Sequence, residues 1–142
     1  MNDAHYLKLE KLFELTTDVA NTRDEKDYKK KLKGVPSNTF GDQLWCILGA
    51  RESYLRVLQT GNSFVFSCSI DNRANKLQMM KSLFESSRAI LDWLEQNNLD
   101  SATLPIILNI LEHEAQHHGQ LIRYFYGNRW IFPQSWKDYY RV

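Results

Sequence analysis

Apolar residues recur at helical spacing in four long segments of this chain, and the alternation expected of a half-buried strand is almost absent. Such a pattern calls for helices packed on helices. The first segment, Asp3 to Ala20, carries Leu9, Leu12, Phe13, Thr16, Val19 and Ala20 on one stripe. The second, Thr39 to Thr60, has Leu44, Ile47, Leu48, Arg51, Leu55 and Leu58 on one face, flanked by Gln43, Cys46, Ala50 and Tyr54. Thr39 or Asn38 caps its start, and Gly61-Asn62 stops it. The third, Arg73 to Asn97, keeps Leu77, Met80, Phe84, Ser87, Leu91 and Leu94 at near-heptad spacing. The fourth, Ser101 to Tyr126, has Ser101 as its N-cap and Pro105 in its first turn, where proline is tolerated. Its stripe is Ile106, Ile110, His113, His117, Leu121 and Tyr124. At 142 residues the chain is long enough to bury one core without disulfides. The expectation is a single all-α domain over residues 1–142, built as a four-helix bundle.

The connections differ in character. Asn21 to Asn38 is polar, with Lys29, Lys30, Lys31 and Lys33 before turn-forming Gly34 to Asn38. Ser63 to Asn72 reads as an extended crossover, with a short strand at Phe64-Val65-Phe66 as the alternative. Gly127 to Val142 is rich in aromatics and is expected to pack on the bundle. A net charge of +1 gives no bulk attraction to nucleic acid or an anionic membrane. No stretch approaches the roughly 20 apolar residues of a membrane helix. Cys46 and Cys68 make no disulfide framework, and no apolar run follows a basic start. These features lead us to expect a cytoplasmic protein.

The chemistry concentrates in the fourth helix, which reads Leu111-Glu112-His113-Glu114-Ala115-Gln116-His117-His118-Gly119-Gln120. His113 and His117 are four apart, so both imidazoles project from the apolar face into the bundle. Two imidazoles on adjacent turns can chelate one divalent metal; the plainer reading is two core histidines satisfied by hydrogen bonds. His118 is rotated by about 100° from His117 and is expected at the rim or surface. His5 lies at the far end and is expected to be solvated or capping. The same residues match His-Glu-x-x-His, the zinc-hydrolase motif, with Glu114 as general base. Only Asp138 follows as an acidic candidate for a third ligand, and no substrate-aligning strand is evident.

His-Glu-x-x-His-His-x-Gly-Gln late in the last helix resembles the DinB-like (YfiT-like) metalloenzyme superfamily. Ser37 to Trp45 resembles that family's entry into its second helix, and Phe132-Pro133-Gln134-Ser135-Trp136 its closing Pro-x-Ser-Trp segment. The resemblance implies a three-histidine metal site. Two of its ligands fall on His113 and His117, and the third falls on Cys46, where this chain departs from histidine. A Cys-His-His set with an open position favours zinc over nickel or manganese. The resemblance also implies a homodimer and a transferase. A low-molecular-weight thiol, deprotonated at the open metal position, would attack a small electrophilic substrate. The competing reading is a non-catalytic dimeric bundle with a structural or degenerate metal site.

If Cys46 meets the two histidines, helices two and four run antiparallel. Helices two and three are then parallel if three and four form a hairpin, which gives an up-down-down-up bundle. Residues 61–72 span at most about 40 Å, enough for a helix of about 33 Å. This arrangement places Asn21–Asn38 and the aromatic tail beside the metal, with the tail as a lid.

Overall fold

The computed structural model describes residues 3–142. It contains α1 (Asp3–Thr22), α2 (Phe40–Thr60), α3 (Lys76–Gln96), α4 (Leu104–Asn128) and a short α5 (Gln134–Tyr140), with a 3-10 turn over Glu25–Lys29. The described residues form no strand; one isolated antiparallel bridge joins Lys31 and Thr39. No helix among them is long and apolar enough to cross a membrane.

Local chemistry sets the helix ends. At α2, the Thr39 side chain accepts from Asp42 N at 3.0 Å, and Thr39 N donates to the Asp42 carboxylate at 2.9 Å. This reciprocal box satisfies two backbone donors that the helix leaves unpaired. Gly61, at φ 72°, ends the helix in the left-handed conformation that glycine adopts without strain. Asn75 caps α3 by accepting from Gln78 N. The expected cap at Ser101 is not observed. Instead the Asp100 carboxylate accepts from the backbone of Ala102 and Thr103 and closes a turn over 101–103, and α4 follows from Leu104, with Pro105 in its first turn.

Both α1 and α2 pack against α3 and α4. The helices therefore run around the bundle in the order α1, α3, α2, α4, and α3 and α4 lie diagonally rather than as a packed hairpin. Contact order gives the directions. Gln43 meets His117, Cys46 meets His113 and Arg51 meets Glu114, so α2 and α4 are antiparallel. Gly41 abuts Arg73, Arg51 reaches Leu83, and Leu58 clusters with Ile90 and Leu94, so α2 and α3 are parallel. The crossover makes this possible by retracing α2. Phe64 packs on Tyr54 at 4.5 Å, Ser69 N bonds Glu52, and the Trp45 indole donates to Ile70 O at 2.7 Å. Gly49 leaves room for it, since a Cβ there would stand 2.3 Å from the Phe66 ring.

Two further expectations change. On α3 the buried face is Met79, Leu83, Ser86, Ile90, Leu91 and Leu94, while Leu77 and Phe84 are 83% and 62% exposed. Two apolar stripes coexist on this helix, and the packing partners α1 and α2 cover the other one. The tail is not a lid. Trp136 is fully buried, its indole donates to Leu15 O at 2.7 Å, and Ser135 bonds Asp18. The tail thus fills the side of the bundle formed by α1 and α4, and Phe125 stacks on Phe132 at 4.9 Å beneath it.

Candidate metal centre

Helix α4 carries His113 and His117 one turn apart, with ring centroids 4.5 Å from each other. Both face α2. His117 is buried and His113 half-buried, so the pair sits at the edge of the bundle rather than its middle. Across from them, half-buried Cys46 places Sγ 3.8 Å from His113 Nε2. One donor atom from each of Cys46, His113 and His117 lies within 4.8 Å of the other two. The three residues form a group that can hold a metal ion. In a tetrahedral zinc site, Zn–N near 2.0–2.1 Å and Zn–S near 2.3 Å put neighbouring donors about 3.3–3.6 Å apart. Closing on an ion therefore needs a contraction of about 1.5 Å at most, within the reach of side-chain torsions. Gln43 Oε1 lies 2.6 Å from His117 Nδ1, which leaves Nε2 of that ring for an ion.

Glu114 points the other way. Its carboxylate is fully buried and takes both arms of Arg51, Nε at 3.1 Å and Nη2 in a close contact. Arg51 also donates to Leu83 O at 3.0 Å, and its guanidinium lies 4.3 Å from the Phe13 ring centroid. Burial pushes the Glu114 carboxyl upward, but the Arg51 guanidinium more than offsets this and holds it below the usual carboxylate range. A carboxylate so occupied is not placed to accept a proton from a molecule at the donor cluster, as the hydrolase motif requires.

His118 also departs from expectation: it is wholly buried, not at the rim. α4 is packed on two sides, by α2 and α1, so the arc that loses solvent is wide enough to include a residue 100° from His117. The bonding around it follows from counting hydrogens. Thr16 Oγ1 donates to Glu114 Oε1 at 2.6 Å, which leaves His118 Nε2–H to donate to Thr16 at 2.6 Å. His118 Nδ1 then accepts from the Tyr140 hydroxyl at 2.6 Å. A neutral imidazole thus joins the tail to the buried ion pair. His5 is partly exposed at the start of α1 and takes no part.

The electrostatics suit uncharged imidazoles. Burial pushes His113 down. His117 falls to about 4 through burial and then the neighbouring His113, and His118 to about 4 through burial. Burial pushes the Cys46 thiol up, against the opposing influence of Arg73. His117 and His118 therefore bind protons more readily unfolded, near 6.5, than folded, near 4. Their contribution to stability is full above pH 6.5 and is lost as pH falls toward 4, at up to about 1.4 kcal/mol per pH unit for each. Urea unfolding of metal-stripped protein is expected to show a lower midpoint at pH 5 than at pH 7; equal midpoints contradict this burial.

Sequence reasoning placed Arg51 on the inner face of α2 but gave it no partner. The signal was available: a charged residue on an apolar stripe needs a buried counter-ion, and Glu114 is the acidic residue flanked by the stripe of α4. No protein-family model matches the chain, and no curated protein or solved structure matches it.

Proposed function

We propose that this chain is a zinc protein of the DinB-like type, holding the ion on Cys46, His113 and His117. On this reading it transfers a low-molecular-weight thiol to a small electrophile in the cytoplasm. The observation that carries the reading is the convergence of one thiol and two imidazoles, from two helices, at an edge where Cys46 and His113 keep some exposure. The donor chemistry fits. Both histidines are neutral near pH 7, as ligands must be, and a thiolate with two imidazoles suits zinc. Zinc bound here supplies an open position that lowers the pKa of an incoming thiol.

The chain's own part is to bind and to exclude. The ring of His117 is buried and fixed from behind, so its orientation is set before any ligand arrives. Cys46 must release its proton, which burial resists, so metal affinity falls as pH falls. The Arg51–Glu114 pair is neutral as a unit and adds no net charge beside the cluster. In the net reaction a C–S bond forms, the leaving group departs with its electron pair, and the thiol proton goes to solvent.

The test uses protein without a polyhistidine tag. One zinc per chain is expected, together with consumption of a thiol in the presence of an aryl or alkyl halide. Removing the metal with a chelator is expected to stop that consumption, and replacing Cys46 by Ala to lower both zinc content and rate. A rate indifferent to chelation ends the transferase reading, and stoichiometric zinc without thiol consumption makes the site structural. The outward Leu77 and Phe84 of α3 support a homodimer. Light scattering is expected to give twice the chain mass, and a monomer mass at high concentration refutes it.

A further inference from the structure

We infer that Gln43 is a positioning residue, set so that His117 carries its proton on Nδ1 and presents a bare Nε2 to the donor cluster. The inference rests on the metal reading above but is decided by hydrogen positions in the metal-free chain. An imidazole can bind a metal through one nitrogen only if its proton sits on the other, and what the other nitrogen touches decides which form prevails.

The contacts run in one direction. His117 Nδ1 lies 2.6 Å from Gln43 Oε1. The Gln43 amide nitrogen donates to Asn38 Oδ1 at 2.9 Å. The Tyr124 hydroxyl donates toward Asn38 O at 2.5 Å and Asn38 Oδ1 at 2.6 Å, sharing one hydrogen. With Asn38 Oδ1 accepting from both Tyr124 and Gln43, the Gln43 amide has its nitrogen toward Asn38. Its carbonyl is then the atom left for His117, and a carbonyl only accepts. The proton between them therefore belongs to Nδ1. Gln43 is buried, so no water competes for that bond. Tyr124, two turns beyond His117 on the same helix, thus anchors the amide that orients His117. No other hydrogen bond in the chain fixes a ring nitrogen of the donor cluster from behind, among the described residues.

The experiment is two-bond ¹⁵N–¹H correlation of the full chain, labelled at histidine and stripped of metal, together with zinc affinity from competition with a chromophoric chelator. The wild-type chain is expected to show His117 as the Nδ1–H form. Gln43→Leu is expected to lose that preference and to weaken zinc binding by about 10- to 100-fold. Gln43→Glu keeps an acceptor at the same place and is expected to restore both. Should Gln43→Leu fail to fold, Asn38→Ala serves instead: Asn38 is exposed, and its loss frees the Gln43 amide to turn over. An Nε2–H form in the wild type, or a preference unchanged in the variants, overturns the inference. A wild-type chain locked as Nδ1–H that binds no zinc supports the inference and ends the metal reading.

Discussion

Replacing Glu114 by Ala is expected to destabilise the fold by about 3–5 kcal/mol, because Arg51 is then left buried and charged with no partner. Both side chains are about 1% exposed, so solvent cannot take the carboxylate's place. A loss of that size is a large part of the stability of an ordinary domain. The double variant Arg51→Met/Glu114→Leu removes both charges while keeping bulk, and is expected to recover most of the loss. Urea denaturation reads both. A Glu114→Ala chain within about 1 kcal/mol of wild type contradicts the role given to the pair. The same substitution separates the hydrolase reading, in which losing a general base leaves the fold standing.

Trp136→Ala is expected to cost about 3–5 kcal/mol, the usual range for emptying a buried aromatic site. The indole lies in the main core with Phe125 and Phe132, faces His118 at 4.8 Å and bonds Leu15 O. Ending the chain after Gly127 removes Phe132, Trp136 and Tyr140 together and opens the groove between α1 and α4. The expected result is loss of cooperative thermal unfolding by circular dichroism. It differs from a lid removal, which leaves the helices formed and only uncovers the site. A truncated chain whose midpoint moves by less than about 4 °C contradicts this placement of the tail.

Much of the fold was legible because four long segments keep helical periodicity and end on strong signals. The Thr39 cap, the Gly61 stop and the extended crossover 63–72 were all readable. What failed, failed for identifiable reasons. α3 has two apolar stripes, and one helix alone cannot say which will meet α1 and α2. At the start of α4, Asp100 rather than Ser101 supplies the acceptor, and it closes a separate turn over 101–103 before the helix. For the site, the i,i+4 spacing placed His113 and His117 on one face, and resemblance supplied Cys46; the structure brings the three together. His118, Thr16 and Tyr140 were missed as a network because they converge from three separate parts of the chain. Spacing within α4 carries no information about what α1 and the tail place opposite it.

The most direct measurement of the central claim is X-ray absorption of zinc bound to the untagged chain, compared with the Cys46→Ala variant. The account predicts one sulfur near 2.3 Å and at least two imidazole nitrogens near 2.0–2.1 Å per zinc, with the sulfur shell absent in the variant. A first shell without sulfur in the wild-type chain, or one that survives in Cys46→Ala, contradicts it.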